Sequence, residues 1–156
     1  MVQGTPAPLK QRPALLWVAV AGVLHACALS WPTTGQALGA VQVLAVAVLA
    51  ALWWRCEDAT SALKVGWVFA TAHGVAATWW LYISMHQYGG LSAPLAAGAV
   101  VLLQAALGFY LALALGLAHR CTQERGGMAR AGAFVGAWLC AELARAQWFT
   151  GFPWGS

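Results

Sequence analysis

The chain has 156 residues, of which 62% are hydrophobic and 8% charged, and its formal net charge is +4. Soluble domains average about 45–50% and about 25%, so an ordinary soluble domain is excluded and apolar runs of bilayer-crossing length point to a polytopic membrane protein. The basic residues stand singly in short segments rather than in a patch, which excludes a nucleic-acid-binding surface.

Residues 1–13 are polar, contain three prolines and show no periodicity, as a cytoplasmic tail would. Lys10 and Arg12 before an apolar run imitate a signal peptide. The run ends in Trp31-Pro32 rather than a small-residue cleavage site, so a retained first helix is expected. Five spans are predicted, over about 14–30, 37–54, 65–84, 95–118 and 131–148. Residues 14–156 then form one transmembrane domain, an all-α helix bundle. No soluble domain is expected, because the longest stretch between spans is about a dozen residues and independent folding needs roughly 40.

Lys and Arg give the orientation. The tail has two, the 55–64 segment two and the 119–130 segment three, while the segments after the first and third spans have none. By the positive-inside rule the N-terminus and both charged segments are cytoplasmic. Residues 32–35, 86–94 and 149–156 then share the external face. Trp53 and Trp54 close the second span as an interfacial pair. His86 and His119 fall in or beside loops and are expected to be solvated. Small residues spaced four apart predict close helix contacts at Gly22 and Ala26, at Gly108, Ala112 and Gly116, and at Gly132 and Gly136.

Few residues suggest chemistry. Cys27, Cys56, Cys121 and Cys140 are scattered without CxxC or CxxH spacing, so neither a metal site nor a redox pair is indicated, and no cofactor is called for. His25 and His73 lie in parallel spans; they could grip a haem only by facing each other across a cavity, and a buried histidine satisfied by a neighbour is the commoner arrangement. Glu142 and Arg145 are three apart on one predicted helix face, where they can pair. Intramembrane charges cost a few kcal/mol and face protein or water. They serve either as a structural lock for the helix or as a functional site. Trp80 and Tyr82 close the third span, and Gly89, Gly90 and Pro94 shape the segment after it, reading as an aromatic belt with a turn or as a surface for a lipid chain. After the last span, Gly151-Phe152-Pro153-Trp154 is a stiff exit, since Pro153 fixes its own φ and restricts Phe152.

Trp80-x-Tyr82-x-Ser84-x-x-x-Tyr88-Gly89-Gly90-x-x-x-Pro94, followed by a long helix and then Trp138-x-x-x-Glu142-x-x-Arg145-x-x-x-x-Thr150-Gly151-Phe152-Pro153-Trp154, resembles the membrane domain of apolipoprotein N-acyltransferases. The resemblance covers residues from about 65 to 156. It implies a bacterial inner-membrane, multi-pass protein. It also implies transfer of an acyl chain from a phospholipid to the α-amino group of a diacylglyceryl-cysteine in lipoprotein maturation. Family members act through a cysteine thioester, aided by a glutamate and a lysine, in a nitrilase-like domain that follows these helices. None of that triad maps onto this sequence, so no catalytic residue is carried over. The chain is expected to be the N-terminal part of a longer enzyme and inactive alone. Trp80, Tyr82, Gly89, Gly90, Pro94, Glu142, Arg145, Gly151, Phe152, Pro153 and Trp154 are expected to support the catalytic domain and admit lipid. The alternative is a small non-enzymatic polytopic protein, a transporter half or an assembly scaffold.

Overall fold

Interrupted apolar runs leave a chain little choice but helices, because every backbone polar group away from water must pair within its own segment. A computed structural model describes residues 11–31 and 33–147, with side chains from Ala14 onward. Among them every regular element is helical. The elements are α1 (Gln11–Leu29), α2 (Gly39–Trp54), α3 (Ala59–Ala77), the short α4 (Trp79–Ile83), a π-helical turn π1 (Ser84–Tyr88), α5 (Ala93–Thr122) and α6 (Gly127–Gln147). Residues 149–154, the predicted exit, lie outside the described residues.

The all-helical class is as expected, while several boundaries differ for local reasons. The third helix begins at Ala59 rather than 65. The Asp58 side chain accepts a hydrogen bond from the Ser61 amide at 2.6 Å and caps the helix, drawing half of the charged segment into it. The same helix breaks at Thr78, whose hydroxyl donates to the Gly74 carbonyl at 2.8 Å. The chain resumes as α4 and then widens into π1, so most of the predicted 85–94 loop is helical and only 89–92 connects to α5. α5 extends to Thr122 and α6 starts at Gly127, shrinking the predicted 119–130 loop to 123–126. After α1 the Thr34 and Gly35 amides both donate to the Trp31 carbonyl, with Gly35 at φ +69°.

α3 is the central helix, packed against α1, α2 and α5, while α6 lies on α5. Gly22 permits the α1–α3 approach: a Cβ there would stand 2.5 Å from the Phe69 carbonyl oxygen. Gly108, Ala112 and Gly116 are buried, with both glycines against α3, so this small-residue stripe works as expected. The stripe on α6 does not: a Cβ at Gly132 or Gly136 would meet open space. Its glycines face away from the bundle because Phe134, Trp138 and Ala141 hold the packed side.

Trp53 is core, not interfacial belt. It is fully buried, and its indole N–H donates to the Leu115 carbonyl at 3.0 Å. Its ring meets His119 (centroids 5.5 Å) and Phe134 (5.3 Å). His119 is likewise buried rather than solvated; its Nε2 donates to the Cys56 carbonyl at 2.9 Å. Arg130 lies over the Trp54 ring at 4.7 Å and donates to the Trp54 carbonyl. A chain end rich in polar loops thus closes by tying its carbonyls to α5 and α6. One helix among the described residues, Ala93–Thr122, is long and apolar enough to cross a membrane, and Ala14–Leu29 and Gly39–Trp54 are shorter apolar helices.

Candidate functional site

Residues 138, 142 and 145 follow i, i+4, i+7 spacing, which sets three side chains along one face of a helix. In α6 that face carries Trp138, Glu142 and Arg145, and all three line a cavity of about 560 Å³ among the five long helices. Glu142 and Arg145 form the expected ion pair, the guanidinium donating to the carboxylate. Trp138 lies edge-on to His25 (centroids 5.9 Å) and to Phe69 (5.8 Å), fastening α6 to α1 and α3.

His25 and His73 approach each other directly, Nδ1 to Nδ1 at 3.3 Å, one ring donating and the other accepting. Their centroids are 5.0 Å apart. Contact of this kind leaves no gap for a porphyrin between them, so the two histidines satisfy each other. Deeper in α5, Gln104 is buried in an apolar run and donates to the Thr78 hydroxyl at 2.9 Å, which in turn donates to Gly74. This relay holds the α3–α4 break against α5. His25, His73 and Gln104 all line the cavity. Sequence reasoning assigned none of them to a common site. Gln104 left a visible signal, an amide within an apolar span, whereas no spacing rule joins histidines 48 residues apart.

The second group of expected site residues lies at the α4–α5 connection. Tyr82 stacks on His86, with centroids 5.5 Å apart, and His86 Nδ1 donates to the Leu91 carbonyl at 2.8 Å, so His86 belongs to the turn rather than to solvent alone. The Gly89 amide donates to Ser84, and a Cβ at Gly89 would meet the Met85 carbonyl oxygen at 2.8 Å. Gly90 sits at φ +68°, the left-handed region open to glycine. Pro94 opens α5 in its first turn, where its missing N–H costs nothing. Trp80 and Tyr88 are exposed. The cavity lining includes none of Trp80, Tyr82, Gly89, Gly90 or Pro94, so the described candidates occupy two places. Gly151, Phe152, Pro153 and Trp154 lie outside the described residues. No group of three or more His, Cys, Asp or Glu among the described residues is arranged to hold a metal ion.

Both places fall within the residues matched by one family profile. The profile of the apolipoprotein N-acyltransferase N-terminal domain matches residues 21–156. Apolipoprotein N-acyltransferase of Verminephrobacter eiseniae is 44% identical over 163 aligned residues, covering 100% of this chain and 29% of the relative. The protein of the same name from Ralstonia nicotianae is 40% identical over 138 residues, with 87% of this chain and 26% of the relative covered. That from Bordetella bronchiseptica is 37% identical over 158 residues, covering 94% and 28%. The chain therefore spans under a third of the length of these relatives and corresponds to their N-terminal part. With the profile running through the Gly89-Gly90 turn and the Glu142–Arg145 pair to the last residue, the chain belongs to the apolipoprotein N-acyltransferase N-terminal domain family.

Proposed function

We propose that the chain forms the N-terminal, membrane-embedded part of an apolipoprotein N-acyltransferase. The family match over residues 21–156 carries this reading. The whole protein moves an acyl chain from a phospholipid to the N-terminal amine of a diacylglyceryl-modified apolipoprotein in the bacterial inner membrane. Both substrates are anchored in lipid, and a site held at the bilayer surface converts their encounter into a two-dimensional search and orients the reacting groups. The described helices supply membrane scaffold. The residues of the Tyr82–Pro94 turn and the α6 exit, including Gly151, Phe152, Pro153 and Trp154, support the catalytic domain and admit lipid. In the protein expressed from its complete gene, Glu142→Ala or Trp154→Ala should fail to restore lipoprotein maturation in a strain depleted of its own acyltransferase. Full rescue by both variants would overturn the assigned role of these residues.

Five crossings with a cytoplasmic N-terminus complete the reading. At 1.5 Å per residue, the 19 residues of α1 reach about 28 Å and the 21 of α6 about 31 Å, against a hydrocarbon core of about 30 Å. The tail and the 55–58 and 123–126 connections then lie on the cytoplasmic side. Cysteine chemistry tests this. Cys121 is exposed at the end of α5, whereas Cys56 is buried, and burial followed by the nearby Asp58 carboxylate pushes its thiol up to about 11. The reactive thiolate is correspondingly scarce at neutral pH. A membrane-impermeant maleimide should label Cys121 in inverted vesicles and leave it untouched in intact spheroplasts, with Cys56 resistant in both. Labelling of Cys121 from the periplasm would reverse the topology.

A further inference from the structure

The α2–α6 pair is closed at one end and lines the cavity beyond it. At the cytoplasmic end Trp53 meets Phe134 and Arg130 donates to the Trp54 carbonyl. From mid-membrane outward, Val43 and Val46 of α2 and Val135 and Leu139 of α6 line the cavity. We infer that this cleft holds one acyl chain of an outer-leaflet phospholipid as a resident lipid, with its phosphate seated at Arg145. The inference rests on the membrane topology proposed above and not on the acyl-transfer reading.

Depth is the first argument. Phe134 and Arg145 both line the cavity, and the eleven residue steps from one to the other measure about 16 Å along a helix. That is about half of a ~30 Å hydrocarbon core, the depth of one leaflet. Polarity is the second. Glu142 and Arg145 lie at the outer end of the lining, while Val46, Leu111 and Phe134 lie toward mid-membrane. The guanidinium carries five N–H donors in a planar fork, more than the pair with Glu142 occupies, and phosphate is its matched bidentate partner.

Size is the third argument. A helix about 10 Å across fills roughly 400 Å³ per turn, so a cavity of about 560 Å³ takes little more than one turn of a further helix. The volume is that of a small-ligand pocket and suits a flexible single chain entering sideways from the bilayer. The lining contains no cysteine, serine, threonine or lysine to attack an ester, and its carboxylate and histidines are already paired, Glu142 with Arg145 and His25 with His73. A lipid seated here is held rather than consumed.

The test places a diazirine-bearing aliphatic residue at Val46 and, separately, at the outward-facing Leu102 of α5, in the protein expressed from its complete gene. After detergent extraction and illumination, mass spectrometry reads the adducts. Position 46 should carry a phospholipid that survives extraction, while position 102 should lose its lipid. The charge-neutral double variant Glu142→Gln/Arg145→Gln should lower the yield at position 46 by about tenfold, the loss expected for a charge-assisted phosphate contact. Should that variant fail to fold, Arg145→Lys, which keeps the charge but not the fork, should lower the yield severalfold. A peptide adduct from residues 148–156 or from a second copy at position 46, or no adduct there, overturns the inference. So does a yield at position 46 that detergent removes as readily as at position 102, or that both variants leave unchanged. Cys121 labelling reports the topology independently, so failure of the lipid seat and failure of the membrane reading are told apart.

Discussion

Trp53→Ala is expected to cost about 3–5 kcal/mol of stability, the range for deleting a buried large aromatic side chain. Trp53 combines three roles that other tryptophans of the chain divide. It is fully buried, it donates to the Leu115 carbonyl of α5, and its ring contacts both His119 and Phe134. In lipid or detergent the transfer of apolar surface from water contributes little between helices, so the loss is one of packing contacts and of a hydrogen bond. Trp53→Phe should recover most of the packing and lose the donor, costing about 1–2 kcal/mol. Trp54→Ala should cost about 1 kcal/mol, since the half-buried Trp54 chiefly offers its face to Arg130. Thermal unfolding in detergent, followed by tryptophan fluorescence, ranks the three variants. A Trp53→Ala loss below that of Trp54→Ala would remove Trp53 from the centre of the closure between α2, α5 and α6.

The neighbouring pair of tryptophans shows what could and could not be read from the chain. Two adjacent tryptophans at the end of an apolar run look alike in sequence, and a belt position suits both. The fold separates them because consecutive helical residues point about 100° apart. Trp53 therefore turns into the core toward Leu115 and Phe134, while half-buried Trp54 stays at the first turn of α6, with Arg130 reaching over both rings. Long-range partners decided this, and periodicity says nothing of partners. The five long helices were legible because apolar runs and their polar interruptions are local signals. Boundaries were less so: Asp58 falls in a charged segment between apolar runs, although an Asp whose side chain can cap the amide three residues on marks a helix start. Thr78 hides a break inside an apolar stretch because its polar group is spent on the Gly74 carbonyl.

The candidate site divides the same way. Glu142 and Arg145 were legible as a pair, since three-residue spacing on a helix fixes their proximity whatever surrounds it. Trp138 was legible as part of the motif, but not as the contact that locks α6 to His25 and Phe69. The cavity itself was invisible. It is lined by residues of five helices, and a space enclosed between helices distant in sequence leaves no trace in any one of them alone.

Arg145→Ala and Glu142→Ala should differ, although each removes half of one ion pair. The pair lies near the C-terminal end of α6 and borders the cavity, so neither charge is fully sequestered. Arginine has a long stem that can carry its head to the interface, whereas glutamate is short and sits one turn deeper. Glu142→Ala leaves an arginine able to reorient, and the expected loss is about 1 kcal/mol. Arg145→Ala leaves Glu142 without its partner beside apolar walls, and because that side chain is 39% exposed the expected loss is about 1–2 kcal/mol, below the cost of a lone charge at mid-membrane. The double variant should be less destabilised than Arg145→Ala alone, because no charge is then left without a partner. Unfolding of the three variants in detergent closes a double-mutant cycle. Equal losses for the two single variants would mean that the cavity mouth is wet enough to solvate either charge. A double variant worse than both would make the pair a structural lock whose geometry, not whose neutrality, holds α6 in place.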